Sequence, residues 1–467
     1  MKNLTKNATK RKITIKTVSR IGLAIGIFLV GFAVFDYIKW VNGTMPDPMT
    51  TDANASSVKG TQTCQPIDTT DIWKDVQTNR SWFLVGDEFS DEEQKLVLTA
   101  QLDESRLLDQ ESLRLDYAII DTDSTGSLSY DKKEKSYTAS FDATSLDPGT
   151  YNLSITATNA CSSSTAEPIP FNVSYPVYVV WSIDWEGSDV KQEYLDNMNT
   201  IANTYNVPMT HFFNPRIYLP SVVSTERANA LTQYVLDGKE TRGDAIGLHL
   251  HMFPDMVSAA GVEPQYSPAW GWTRTDGYDI LVSGYSYDKM NTILDWSVDT
   301  FENHGLEAPT MFRAGGWFAD EGTLRVLEDN DFVLDSSGRT SYTLGTNNVE
   351  THWNLLETTQ PYHPSYSNQN IVGTPGMDLW EFPNNGGDSW SFSKDEMYAR
   401  FRANYAGGAS TEMKIVTYLS HPDWFNVDKP KMESLFTDIG NEGFSSDKGP
   451  VIYTTLEDLY HIRAEVE

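Results

Sequence analysis

Residues Asp244–Phe253 read DAIGLHLHMF, an apolar run that ends in two histidines, His249 and His251. Side chains alternate across a β-strand with a period of two, so both imidazoles point to the same side of a predicted strand. Such a pair suits a metal ion, and it equally suits polar positions at the rim of a sheet. The rest of the sequence has to decide between these two interpretations.

The chain around this stretch alternates between short apolar segments and helical segments. VYVVWSID, Val177–Asp184, is a continuous apolar run that suits a strand buried on both faces. A later helix is predicted to begin after Ser286 and to end before Gly305. This alternation predicts an α/β fold with a parallel sheet, closed as a barrel or open, in which chemistry lies at the carboxyl ends of the strands.

Ionisable side chains follow several of these predicted strands. Each of them alone is more often structural, but together they supply acids, imidazoles and one guanidinium at the same edge of the sheet. In chain order they are Asp184, Glu186, His249, His251, Arg313 and His421. His211 also ends a predicted strand and is expected to support or line the site rather than to bind a metal.

The order of these residues resembles the polysaccharide-deacetylase family, the NodB-like carbohydrate esterase family four. FRAGGWFADEGTLRVLEDNDFVLDSS, 312–337, is similar to the family's third motif with the following helix and strand, and YLSHPDWF, 418–425, is similar to its final motif. The resemblance covers about Val177–Ile462. It implies a distorted (β/α) barrel at 175–467 and a hydrolase that removes N- or O-linked acetyl groups from polysaccharide or another glycan.

Carried over position by position, the resemblance implies three catalytic residues and three metal ligands. The catalytic residues are Asp184 as base, Arg313 as the group that orients the base, and His421 as general acid. The metal ligands are Glu186, His249 and His251.

The chain departs from the family pattern in two places. Trp185 separates Asp184 from Glu186, and Phe253 stands where the family has its second histidine, so His251 takes that role. Two interpretations stay open at this point, an altered metal site and a lost one.

The chemistry of acetyl removal requires the same groups. Hydrolysis at neutral pH needs an activated water, a stabilised oxyanion and a proton for the leaving group. Two neutral imidazoles and one carboxylate suit a divalent metal, with zinc expected first, that activates the water. Asp184 would accept the proton of the water and His421 would donate one. Two alternatives are an inactive glycan-binding barrel and a metal-independent C–N hydrolase on the same fold.

Several tryptophans lie where substrate is expected. The connection between His251 and Ser286 is long, and long loops are often functional. Aromatic rings near the predicted site suit stacking on the faces of sugars. The predicted substrate-binding residues are Trp185, Trp270, Trp272, Trp317 and Trp424.

The start of the chain has the pattern of a membrane anchor. A basic segment, 1–20, precedes the apolar run IGLAIGIFLVGFAVF at 21–35. Extended to Val41, with Tyr37 and Trp40 at the interface, a helix over 21–41 reaches roughly 30 Å. This predicts a cytoplasmic tail at 1–20, a single-pass anchor at 21–41 and an extracytoplasmic remainder. A cleaved signal peptide is the alternative.

The next segments are predicted to be a linker at 42–63 and an all-β domain at 64–174. LDPGTYNLSITATNACSSS, 146–164, resembles the late strands of immunoglobulin-like sandwiches. Cys64 and Cys161, the two cysteines of the chain, both fall in the part predicted to be extracytoplasmic, where a disulfide between them would persist.

The charge of the chain bears on its partners. Its 65 acidic residues outnumber its 35 basic residues, which gives a formal net charge of −30. An acidic surface repels phosphate backbones, so nucleic acid is not expected as a partner.

Overall fold

The computed structural model describes residues 66–67, 72–103, 112–272 and 276–466, which belong to one compact unit. The predicted basic tail, the anchor at 21–41 and the linker at 42–63 lie outside these residues. Among the described helices, none combines the length and the apolar character needed to cross a membrane.

The first part of the described chain is built from β-strands. Its strands are β1 Trp73–Thr78, β2 Trp82–Leu84, β3 Lys95–Leu102, β4 Arg114–Ile119, β5 Thr125–Ser127, β6 Ser129–Asp131, β7 Ser136–Asp142, β8 Gly149–Thr158, β9 Ser163–Thr165 and β10 Ile169–Ser174, with one short helix, α1 Asp91–Gln94.

The second part alternates strands and helices. Its strands are β11 Val177–Asp184, β12 Met209–Phe213, β13 Ala245–Leu250, β14 Met311–Ala314, β15 Leu334–Asp335, β16 Thr343–Leu344, β17 Val349–Glu350, β18 Pro364–Ser365, β19 Asn368–Val372, β20 Trp380–Glu381, β21 Gly387–Asp388, β22 Lys414–Ser420 and β23 Val451–Thr454. Its α-helices are α2 Gln192–Tyr205, α3 Thr225–Arg242, α4 Pro254–Ala259, α5 Tyr287–Asn303, α6 Glu321–Asp329, α7 Lys394–Asn404, α8 Phe425–Ile439 and α9 Leu456–Val466.

The β-strands of the first part form two sheets around one core. One sheet has the order β1-β3-β7-β6 and the other β2-β10-β8-β4-β5, with β9 paired to β8. Their inner faces meet where Phe141 packs against Tyr117 and Phe171, with ring centroids 5.5 and 6.4 Å apart. The part is therefore a β-sandwich, and its immunoglobulin-like classification stays a prediction.

The structure describes only one of the two cysteines of the predicted disulfide. Cys161 is disulfide-bonded, and the described residues contain no free cysteine. Cys64, the other half of the predicted pair, lies outside the described residues.

The second part is organised by one parallel sheet of nine strands. Its order is β20-β15-β14-β13-β12-β11-β22-β21, and β23 pairs with the first half of β11 while β12 pairs with the second half. All eight residues of β11 are buried, as expected for a strand covered on both faces. The α/β fold is thus confirmed, but in the described residues β20 and β21 end the sheet, so the pairing does not close a barrel.

The open sheet is strongly curled. Neighbouring strands lie about 4.8 Å apart, so β14 and β11, which are separated by two strands, would be about 14 Å apart in a flat sheet. Arg313 of β14 nevertheless donates hydrogen bonds to Ser182 and Asp184 of β11, at 2.7 and 2.8 Å. The curl therefore brings side chains from distant strands into one place.

The β-sandwich packs on the amino ends of the parallel strands. Asp447 accepts hydrogen bonds from the backbone N–H groups of Ser81 and Trp82, at 2.8 and 3.0 Å. Glu88 accepts one from the hydroxyl of Tyr178, near the start of β11, at 2.5 Å. The predicted site residues follow the carboxyl ends of the strands, so the sandwich and the site lie at opposite ends of the sheet.

Replacing Asp447 tests this contact. In D447A the N–H groups of Ser81 and Trp82 lose their acceptor, and alanine fits poorly at φ +55°. The free energy of unfolding should fall by about 2 kcal/mol, measured by urea denaturation. D447N tolerates the same backbone and keeps one acceptor oxygen, so it should lose less than half as much. Equal losses in the two variants would contradict the assignment.

Candidate active site

Three predicted metal ligands converge. Glu186 lies two residues beyond β11, while His249 and His251 lie at the end of β13 and directly after it. One donor atom from each side chain lies within 4.8 Å of the others, and all three side chains are buried. The strand pairing that places β13 beside β12, and β12 beside β11, thus produces the predicted cluster.

The protein fixes the orientation of both imidazoles. Nδ1 of His249 lies 2.9 Å from the carbonyl of Arg313, and Nδ1 of His251 lies 2.9 Å from the carbonyl of Tyr278. A carbonyl only accepts, so each Nδ1 carries the proton and each Nε2 is left to face the cluster. Imidazole ligands of metals are held in this way, with the outer nitrogen donating to an acceptor.

The cluster fits a divalent cation. Nε2 of His251 lies 2.9 Å from Oε2 of Glu186, and Nε2 of His249 is buried without a hydrogen-bond partner among the described residues. Burial lowers the pKa of His249 to about 4, so this ring is neutral at pH 7. Burial raises the pKa of Glu186, but the hydrogen bond and positive charge that His251 can offer lower it by more, so the carboxyl is ionised. Two nitrogens and one carboxylate oxygen suit zinc and related ions.

The glycine after β14 makes room for this arrangement. A Cβ atom added to Gly315 would lie 2.6 Å from Nδ1 of His251, closer than real Cβ atoms approach other atoms. Gly315 therefore allows the imidazole of His251 to reach the carbonyl of Tyr278. The paired glycines of FRAGGW, 312–317, are the sequence feature that indicates a close approach here. The sequence alone did not show that the imidazole of His251 makes this approach.

Asp184 is held by a buried guanidinium. Nη1 of Arg313 donates to Oδ1 of Asp184 at 2.8 Å, while Nε and Nη2 donate to the carbonyl and the hydroxyl of Ser336, each at 2.7 Å. Arg313 is fully buried, so its charge is balanced by groups inside the protein. The structure thus gives Arg313 the contact expected of a residue that orients Asp184.

His421 follows β22 and reaches the same cluster from the other side. Its Nε2 lies 3.4 Å from Oε1 of Glu186, and its ring lies 4.7 Å from that of Trp424, centroid to centroid. Nδ1 of His421 is buried, and no hydrogen-bond partner for it occurs in the part of the chain that the structure describes. The position next to Glu186 suits a proton donor, and the catalytic roles of Asp184, Arg313 and His421 stay predictions.

One cavity of about 200 Å³ lies at this site. Asp184 and His421 line it together with the three candidate ligands, and so do four of the predicted substrate-binding residues, Trp270, Trp272, Trp317 and Trp424. The lining is therefore mainly aromatic apart from these ionisable side chains.

Trp185 is the exception. It is 1% exposed and packs in the core against Phe213 and Tyr234, with ring centroids 5.0 and 5.8 Å apart. Side chains alternate along an extended chain, so the residue between Asp184 and Glu186 points away from the cavity that both acids face. The prediction that Trp185 contacts substrate is therefore wrong.

Four residues that line the cavity were not predicted from the sequence. They are Tyr278, Gly316, Leu344 and Trp390. Trp390 is 50% exposed, and its ring lies 5.7 Å from that of Trp272. It follows the turn-like sequence NNGGDS, 384–389, after a buried strand, which is the pattern that could have indicated it.

Comparisons with known proteins give little at the level of sequence. No protein-family model matches the chain, and no curated protein matches it.

Solved structures give weak similarities. A protein from Mycobacterium smegmatis assigned as a polysaccharide deacetylase is 16% identical, with a TM-score of 0.38 over 64% of this chain and 95% of that one. Peptidoglycan deacetylase PdaC from Bacillus subtilis is 11% identical, with a TM-score of 0.32 over 62% and 93%. A family 4 carbohydrate esterase from Streptomyces lividans is 10% identical, with a TM-score of 0.29 over 56% and 90%. At these values the similarity carries no conclusion about function, which depends on the site itself.

Two buried acids, Asp335 and Glu381, lie near Arg313. Burial and the charge of Asp335 raise the pKa of Glu381 well above its ordinary value of 4.5, although Arg313 lowers it. Burial also raises the pKa of Asp335. The pair therefore retains one proton, which lies on Glu381. The remaining negative charge lies near the guanidinium of Arg313.

The protonated state of Glu381 can be tested with E381Q. An acid whose pKa is raised by folding stabilises the protein below its unfolded pKa and loses that contribution as the pH rises through the folded pKa. Glutamine does not titrate, so the wild type should lose stability relative to E381Q as the pH rises above about 4.5, the ordinary pKa of a glutamate. Urea unfolding at several pH values measures this.

The matched control is E350Q, at an exposed glutamate. Its stability relative to the wild type should not change across the same pH range. Parallel stability curves for E381Q and the wild type would show that Glu381 is ionised in the folded protein.

Proposed function

We propose that this protein is a metal-dependent hydrolase that removes acetyl groups from a glycan. The observation that carries the proposal is the convergence of Glu186, His249 and His251 beside Asp184 in one cavity. Each group that hydrolysis requires has a candidate, and buried hydrogen-bond partners hold Asp184, His249 and His251 in place.

Glu186, His249 and His251 would hold the metal, for which zinc is the first choice. A divalent cation there supplies polarisation of the acyl oxygen and a lowered pKa of water. Arg313 binds Oδ1 of Asp184, which leaves the other carboxylate oxygen to accept a proton from water. His421, in the same cavity, would donate a proton to the departing amine or hydroxyl.

The walls of the cavity support a sugar as the carrier of the acetyl group. Aromatic faces pack well on the apolar faces of pyranose rings, and the cavity offers several of them close to the polar groups. We propose further that the segment 21–41 anchors the protein and that the enzyme acts outside the cytoplasm, on N- or O-acetylated surface polysaccharide.

The catalytic assignment is tested by D184N. Acetate release from acetylated chitooligosaccharides and peptidoglycan fragments should fall by about 10²- to 10⁴-fold, because the base that accepts the proton is lost. Metal content and the folded structure should not change. The matched control is D255N, which breaks another arginine–aspartate pair, with Arg216, and involves a residue outside the cavity lining. D255N should keep its activity; wild-type rates in D184N would exclude Asp184 as the base.

The metal assignment is tested by H249A. This variant should lose both bound metal, measured by mass spectrometry, and acetate release. Acetate release by fully metal-free protein would instead favour a metal-independent hydrolase. A wild type that binds metal and oligosaccharide without turnover would favour a glycan-binding protein.

The proposed stacking of sugars on the aromatic residues that line the cavity is tested by W390A. Losing one exposed stacking surface should raise KM for acetylated oligosaccharides about fivefold to tenfold, since tenfold corresponds to about 1.4 kcal/mol. The kcat should change less than about twofold, because Trp390 is not among the groups that transfer protons. A small acetyl ester should be hydrolysed as by the wild type. Y130A, at a similarly exposed aromatic residue of the sandwich, should change neither constant; an unchanged KM in W390A would exclude stacking.

A further inference from the structure

Trp185 occupies a special place in the chain. It stands between Asp184, the proposed base, and Glu186, a proposed ligand, yet its side chain is in the core. Its backbone N–H donates to the carbonyl of Phe212 at 3.0 Å, so the chain stays paired with β12 one residue past the end of β11. Because the extended conformation continues, the side chains of residues 184 and 186 face the same way.

A chain of buried polar groups holds the indole of Trp185. Its Nε1–H donates to Nδ1 of His211 at 3.2 Å. An indole N–H only donates, so Nδ1 accepts and Nε2 of His211 carries the proton that faces Oδ2 of Asp244, at 3.1 Å. Arg242 donates to the same oxygen of Asp244 at 2.6 Å, and the backbone N–H of Met209 donates to Oδ1 at 3.0 Å.

This chain of hydrogen bonds has no gap. His211 is fully buried and Asp244 is 2% exposed, so an unmade bond in either would be costly. The indole cannot turn toward the cavity without breaking the bond to His211, which would leave a buried ring nitrogen unpaired. The polar chain thus fixes the side of the strand on which Trp185 lies.

We propose that Trp185 is a positioning residue, anchored through His211 and Asp244, that holds the carboxylate of Glu186 at the cation site. The proposal rests on the proposed function for the identity of that site. It also explains why an extra residue between the two acids is compatible with a metal site, because one inserted residue that points into the core leaves both acids on the cavity side.

The test compares two tryptophan variants of one strand. W185F keeps an aromatic ring in the core and removes the N–H that binds His211. Zinc affinity, measured by competition with a chromophoric chelator, should weaken about tenfold, the low end of the effect seen when outer partners of metal ligands are removed. Acetate release at limiting zinc should fall in parallel and should recover in excess zinc.

W181F is the matched control. Trp181 is also buried on β11, faces the same core, and donates one hydrogen bond, to Ser420 at 3.1 Å. W181F should lose a similar amount of stability in urea and should bind zinc as the wild type does. Equal weakening in both variants, or unchanged affinity in W185F, would overturn the proposal.

His211 provides a rescue experiment. In H211Q, the amide offers both an acceptor for Trp185 and a donor for Asp244, so zinc affinity should stay within about threefold of the wild type. H211L fills much of the space without either group and should weaken binding as W185F does. If H211L binds zinc as tightly as the wild type, the anchor has no role. A wild type that binds no zinc would reject the proposed function instead, which separates the two failures.

Discussion

Nε2 of His251 and Oε2 of Glu186 face each other in the interior of this protein, 2.9 Å apart. Nδ1 of the imidazole already donates its proton to the carbonyl of Tyr278, so in the neutral ring both facing atoms carry lone pairs. Such atoms repel in a dry environment unless a positive charge lies between them. The packing of the surrounding strands keeps them at this distance, so the site favours a positive charge, supplied by a second proton on His251 or by a metal cation.

Two polar side chains around the candidate metal ligands, Arg313 and His211, are hydrogen-bonded through every side-chain nitrogen, while one nitrogen among the ligands themselves has no partner in the described part of the chain. Arg313 makes hydrogen bonds through Nε and both terminal nitrogens, and the side chain of His211 is bonded on both ring nitrogens. By contrast, Nε2 of His249 has no partner among the described residues. Buried polar groups are normally satisfied, so an unsatisfied atom inside a satisfied shell marks the place where a ligand supplies the missing interaction.

The sequence predicted what depends on period and position. Alternation placed His249 and His251 on one face, and the strand-end rule grouped them with Glu186, although these residues are far apart in the chain. The sequence could not predict which groups hold the indole of Trp185, since His211 and Asp244 come from other strands and loops. Nor could it predict the pairing of Asp335 with Glu381, since two acids become neighbours only when β15 and β20 pair. Long-range partners of buried polar groups are the part that local pattern does not encode.

The position of the β-sandwich has a consequence for access. It is attached at the amino ends of the strands, through Asp447 and Tyr178, and none of its described residues lines the cavity. The described residues of the sandwich therefore do not narrow the mouth of the cavity. A large polymeric substrate of the proposed enzyme would therefore reach the mouth from the side opposite the sandwich.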